Sequence, residues 1–195
     1  MGILWRDRGA FDLSIPALEQ ARTLLDLMKD ASHLSDALRN LGDAYFCVGR
    51  WQDTAKCYQK SLQISENVGD VQGMAHASTS LANLMVRRGD LQIAEDLYQY
   101  SRSQFSRIGS LLGLAIINYH QGEVLLIQHE PRNALHHLRE SMTSLERVKA
   151  RNYLARVLHM AAEAALTLED TEQELGYISR SQVIASELGV GVEEA

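Results

Sequence analysis

The sequence has little of what interrupts, cross-links or anchors a chain. Two prolines and 13 glycines in 195 residues argue against a linker-rich polymer. Two cysteines cannot form a disulfide framework, which fits a reducing compartment. No run of apolar residues approaches the roughly 18 that a membrane helix needs, so no membrane partner is expected. The apolar start Ile3-Leu4-Trp5 stops at Arg6-Asp7-Arg8, too short for the apolar core of a secretion signal. There is no basic excess. Lys+Arg number 19 against 25 Asp+Glu, a net charge of -6, which speaks against direct nucleic-acid binding. Neither a phosphate-binding loop nor a nucleophile elbow occurs. Gly189-Val190-Gly191 follows no strand pattern and reads as tail. With 46% apolar residues the chain can fill a core, and the expectation is a globular, cytoplasmic protein.

What is present is a period. Shifted so that Ser61 falls on Ser101, the chain lines up with itself without a gap. Ser61, Ser101, Ser141 and Ser181 coincide, with Ala21 one step earlier. Tyr58, Tyr98, Leu138 and Ile178 coincide, as do Trp51, Leu91, Pro131 and Thr171. Gly9 matches Gly49 and Gly89, and Gly69 matches Gly109 and Gly189.

Each unit reads as two helices. Over 71–88, apolar and small residues recur at three and four, and Gly89-Asp90 then breaks the pattern. Pro131 falls at a helix start, where a missing N–H costs nothing, and Pro16 is placed within an opening turn. The spacing predicts helices over 11–29, 33–48, 51–68, 71–88, 91–108, 111–128, 131–147, 151–168 and 171–188, and no sheet. Small residues at 42, 82, 122 and 162, and at 54, 94 and 134, let helices approach closely. Trp51, Tyr45, Tyr58 and Tyr98 are expected to fill the gaps between pairs, and Cys47 and Cys57 to be small buried fillers.

These columns resemble the tetratricopeptide repeat in its 40-residue form. Leu41-Gly42-Asp43-Ala44-Tyr45, then Gly49-Arg50-Trp51 and Tyr58, is a close match to the family pattern. Leu81-Ala82, Met85, Gly89-Asp90-Leu91, Ala94 and Tyr98 give a second match, and Gly122, Leu125, Pro131, Ala134 and Leu138 a third. The fourth is degenerate, with Glu174 where the family has Ala. Similar repeats occur in G-protein-signalling modulators, kinesin light chains and the sensor regions of bacterial transcriptional regulators. The resemblance implies an all-α, right-handed solenoid of antiparallel helix pairs with about four and a half repeats. It is expected as one domain over 1–195: a half repeat at 1–30, repeats at about 33–70, 71–110, 111–150 and 151–189, and a tail at 190–195. Residues 1–8 would be the last turns of a first helix, with Trp5 in the column of Tyr45. Open apolar ends would favour self-association or a neighbour now missing.

The resemblance also implies where function sits. The first helix of each pair, helix A, lines a concave groove. Its groove columns hold Asp36, Arg39, Asn40 and Asp43, then His76, Asn83 and Arg87, then Tyr119, His120 and Glu123, then Arg156, His159 and Glu163. Arg and Asn suit carboxylates and a peptide main chain, and Tyr and His offer flat contact area. The expected partner is a protein or peptide segment lying in this groove. The bland alternative is a solvated inner face. Family members that clamp a C-terminal carboxylate use Lys and Asn at fixed columns. Here Arg39 could stand for the first Lys, but Asp43 replaces the first Asn and would repel the ligand, so that mode is rejected.

No catalytic constellation is visible, and neither an enzyme nor a cofactor is expected. His76, His120 and His159 could converge on a metal or act as a pH switch, but no Cys or spaced carboxylate completes a ligand set, which favours ordinary groove histidines. Arg147, Lys149, Arg151 and Arg156 form a modest basic cluster, read as a solvated turn. The leading expectation is a non-enzymatic interaction scaffold. The alternative is a ligand-sensing or peptide-sensing arm of a larger bacterial transcriptional regulator or signalling ATPase.

Overall fold

A computed structural model describes residues 9–187. The expectations for Trp5 and residues 1–8, for the helix end at Leu188 and for the tail after Gly189 lie outside them. Among the described residues there are nine helices and no strand. They are α1 (Phe11–Leu27), α2 (Ala31–Cys47), α3 (Trp51–Val68), α4 (Val71–Arg88), α5 (Leu91–Arg107), α6 (Leu111–Ile127), α7 (Pro131–Arg147), α8 (Arg151–Thr167) and α9 (Thr171–Glu187). No described helix is long and apolar enough to cross a membrane. This is an all-α helical repeat of solenoid type, as the period implied.

Helix starts are evenly spaced from Phe11 through Ala31 and Trp51 to Thr171, so each repeating unit is two equal halves. The turns explain the regularity. A residue with positive φ stands at 9, 29, 49, 69, 89, 109, 129, 149 and 169. Five of these are glycine; Lys29, His129, Lys149 and Glu169 adopt the same left-handed geometry with a side chain. The N–H that follows reaches back across the turn, as in Asp70 to the Ser65 carbonyl at 2.9 Å and Glu130 to that of Leu125 at 2.8 Å. This bond closes the helix end, satisfying a carbonyl that would otherwise be orphaned. Four turns also cap the next helix: the side chains of Asp30, Asp70, Ser110 and Asp170 accept from the N–H groups of His33, Gly73, Gly113 and Gln173.

The chain groups into two compact units, Met1–Ile108 and Gly109–Ala195. The first holds α1 and the pairs α2–α3 and α4–α5, and the second holds α6–α7 and α8–α9. The first has an apolar cluster of Leu18, Leu38, Leu41, Ala44, Tyr45, Cys57 and Ile64. The second buries Leu135, Leu138, Met142, Leu145, Leu154, Val157, Leu158 and Ile184.

Within each pair the serine column has one job. Ser61, Ser101, Ser141 and Ser181 donate to the carbonyls of Ser35, Ala75, Ala115 and Ala155, at 2.9, 2.8, 2.7 and 3.2 Å. The hydroxyl therefore joins the two helices of a pair, and the small partner residue allows the approach. Gly42 and Gly122 serve the same closeness. A Cβ at Gly42 would lie 2.5 Å from the Tyr58 ring, and one at Gly122 would lie 2.8 Å from Leu138.

Several expectations are corrected. Trp51 is 47% exposed and fills no gap between pairs. As the first residue of α3 it sits over the turn, edge-on to Phe46 at 5.4 Å. Cys47, the last residue of α2, is exposed, and only Cys57 is a buried filler. Pro16 is the sixth residue of α1, past the opening turn, so its missing N–H removes a helical bond rather than an already orphaned donor. The second helix begins at Ala31, slightly earlier than its pattern suggested, because Asp30 supplies the cap.

Two stability outcomes follow. Ser141→Ala should lower unfolding free energy by about 1 kcal/mol, since it deletes one buried hydroxyl-to-carbonyl bond. Ser103→Ala, at an exposed hydroxyl bonded within its own helix, should leave stability unchanged in the same urea titration. Lys149→Gly should raise the urea midpoint by the equivalent of about 0.5–1 kcal/mol, because relief of left-handed strain exceeds the entropy that glycine adds to the unfolded chain.

Candidate functional site: the A-helix faces

In the first unit the predicted groove residues lie on α2 and α4. Arg39 sits between two acids, 3.5 Å from Asp36 and 3.6 Å from Asp43. Asp43 also accepts a hydrogen bond from the Tyr58 hydroxyl at 2.8 Å. One repeat on, Asn83 accepts from Tyr98 at 2.6 Å. This groove column therefore anchors the aromatic ring of the paired helix. The signal is a side-chain acceptor on helix A with tyrosine at a fixed place on the helix that follows, and it could have been read in the sequence. Asn40 is buried, its side-chain amide donating to the Asp36 carbonyl at 2.8 Å in its own helix. Arg87 is exposed in the last turn of α4, where its charge suits the helix C-terminus.

His76 is half-buried on α4, edge-on to the Phe105 ring at 5.2 Å. Burial holds its pKa below the ordinary histidine range. The Arg39 guanidinium pushes it further down, against weaker opposing pulls from Asp36 and Asp70.

In the second unit the site residues lie on α6 and α8. Tyr119 is buried, its ring 5.0 Å from His120 and 5.5 Å below the Arg156 guanidinium. Cation and ring face are mutually attractive at that range. His120 Nδ1 lies 3.3 Å from Glu123 Oε2. Glu123 stands in the column of Asp43 and Asn83, but Leu138 replaces the tyrosine, so this carboxylate meets an imidazole of its own helix. A cavity of about 340 Å³ opens here, lined by Tyr119, Arg156, His159, Met160, Glu163 and Ser181. Four of these are groove-column residues gathered in one place; Met160 and Ser181 were not foreseen.

The expected basic cluster does not act together. Lys149 makes a left-handed turn, Arg151 pairs with Glu187 on α9, and Arg156 faces the cavity. No group of three His, Cys, Asp or Glu side chains gathers as a metal site among the described residues.

Residues 33–103, which span nearly all of α2, the whole of α3 and α4 and most of α5, match the family model of the tetratricopeptide repeat. That segment carries tetratricopeptide repeats. The structure is similar to that of BtubC from P. vanneervenii, at 15% identity and a TM-score of 0.78, covering all of this chain and 80% of that one. It is similar to a Rap protein complexed with Competence and Sporulation Factor, at 11% identity and a TM-score of 0.88, over 95% of this chain. It is also similar to the Rap conjugation gene regulator of plasmid pLS20 in complex with the Phr* peptide, at 14% identity and a TM-score of 0.86, over 96% of this chain. Each Rap match spans about half of the Rap chain, at 52%. At such identities the likeness is one of fold alone. No curated protein matches the sequence.

The histidine on α4 generates a pH outcome. A folded-state pKa depressed below the unfolded value means that stability is present above the unfolded pKa and falls as pH drops toward the folded one. His76→Gln should therefore lose less stability than the parent between pH 7 and pH 5. Urea titrations of both proteins at each pH measure the difference, to which the other titrating groups contribute equally.

Proposed function

We propose that the chain is a non-enzymatic interaction scaffold whose A-helix faces bind a peptide or a segment of a partner protein. The observation that carries the reading is the cavity on α6 and α8, where Arg156 overlies Tyr119 and His159 and Glu163 complete the wall. An exposed guanidinium beside an aromatic ring suits a peptide carboxylate with a flat or apolar neighbour. His159 and Glu163 add an imidazole and an acceptor for main-chain amides. Helices stacked by buried hydroxyl bonds hold these groups in place before the ligand arrives, which lowers the entropy lost on binding.

A second reading has the chain as the sensing arm of a larger regulator. It is favoured by the likeness to the Rap conjugation gene regulator in complex with the Phr* peptide, of which this chain spans 52%. In that case occupancy of the A-helix face would be read by domains outside this chain.

Panning of a displayed peptide library on the parent and on Arg87→Glu/Arg156→Glu tests the scaffold. Both arginines are exposed and neither pairs with a buried carboxylate, so the fold should persist, as circular dichroism would verify. The parent should enrich peptides with carboxylates next to aromatic or apolar residues. The variant should bind those peptides at least about tenfold more weakly, the loss expected for charge-assisted hydrogen bonds. Equal affinity for the two proteins, or no enrichment by the parent, would overturn the proposal.

A further inference from the structure

A second cavity lies in the first unit, away from the faces just described. It has a volume of about 490 Å³ and is flanked by α1 and α3 over α2. Its floor is apolar: Leu38, Cys57 and Ile64 are all buried. Burial pushes the Cys57 thiol up to about 11, so the floor carries no charge near neutrality. The rim is cationic. Arg22 projects from α1 and Lys56 and Lys60 from α3, all exposed, with Asp26 the acid on that rim.

Several other arginines are tied to carboxylates, as in Arg39 with Asp36, Arg50 with Asp53 and Arg180 with Glu146. None of the three rim cations forms an ion pair with a described residue, and Lys60 donates only to the neutral Gln63 side chain at 3.2 Å. A protein of net charge -6 thus gathers three positive charges, unpaired among the described residues, and one acid around an apolar hollow. Like charges so arranged repel one another, and an anion among them would relieve the repulsion. The volume falls within the roughly 300–1,000 Å³ usual for small-molecule sites.

We propose that this cavity binds a small anionic amphiphile, with a carboxylate or phosphate head held by Arg22, Lys56 and Lys60 and a short alkyl body resting on Leu38, Cys57 and Ile64. The site is independent of the peptide-binding reading, since it shares none of the groove-column residues.

Isothermal titration of the whole chain with decanoate, decyl phosphate and neutral decanol tests this. Both anions should bind at one site, and decanol about tenfold more weakly, because the head contributes a charge-assisted contact. Lys56→Gln/Lys60→Gln removes two exposed charges, which leaves the fold intact. It should weaken both anions about tenfold and leave decanol unchanged. Absence of binding by either anion, equal binding of decanol, or anion affinity unmoved by the double substitution would overturn the proposal. Binding of acidic peptides at this rim without binding of the amphiphiles would overturn it too, and would assign the hollow to a protein partner.

Discussion

The hydroxyl of one serine per pair, given to a carbonyl of the facing helix, is the contact on which the stacking depends. A helical carbonyl already accepts from its own N–H and keeps a second lone pair. Serine is small enough to bring the helix axes close and polar enough to use that lone pair. Leucine there would hold the helices apart, and alanine would leave closeness without direction. Gly42, Gly122, Ala75, Ala115 and Ala155 are the complement of that choice, since each removes bulk where the helices cross. Side chains around these crossings then meet at van der Waals distance, which is where close packing yields its stabilisation.

The polar columns of the A-helix face are used differently in the two units. In the first, the polar column at Asp43 and Asn83 is occupied in holding tyrosines, and Arg39 is held by acids. Those groups are built into the scaffold more than they are offered to a ligand. In the second, loss of the tyrosine at Leu138 coincides with the Tyr119, Arg156 and His159 cavity. A polar residue in a repeat column is thus not a contact by virtue of the column alone, because its paired helix decides whether its hydrogen-bonding capacity is already used.

Most of the fold was legible in the sequence. The serine column, the small columns and the helix starts recur at one spacing because each meets the same neighbour in every repeat. The errors fall at helix ends. Trp51 and Cys47 flank a turn, where periodicity assigns a face but no neighbouring helix covers it. The cavity of the first unit was not legible, since Arg22 and Lys56 are remote in the chain and come together only when α1 and α3 flank α2. Of the A-helix residues, types and rows could be read, but not which were occupied internally. That depends on side chains contributed by the other helix of the pair.

The uniform turn has a consequence for how such a chain can change length. Joints after either kind of helix have the same left-handed residue and the same backward N–H bond, as at Lys29 and Gly69 on one side and Gly49 and His129 on the other. The joints alone cannot tell an A helix from a B helix. A deletion of one half-unit would preserve every joint downstream yet exchange the two kinds of helix, setting serine hydroxyls against the wrong carbonyls. Only whole units keep joints and faces in phase. Lengthening by duplication is therefore quantised in pairs by the serine bonds, although the backbone by itself would accept single helices.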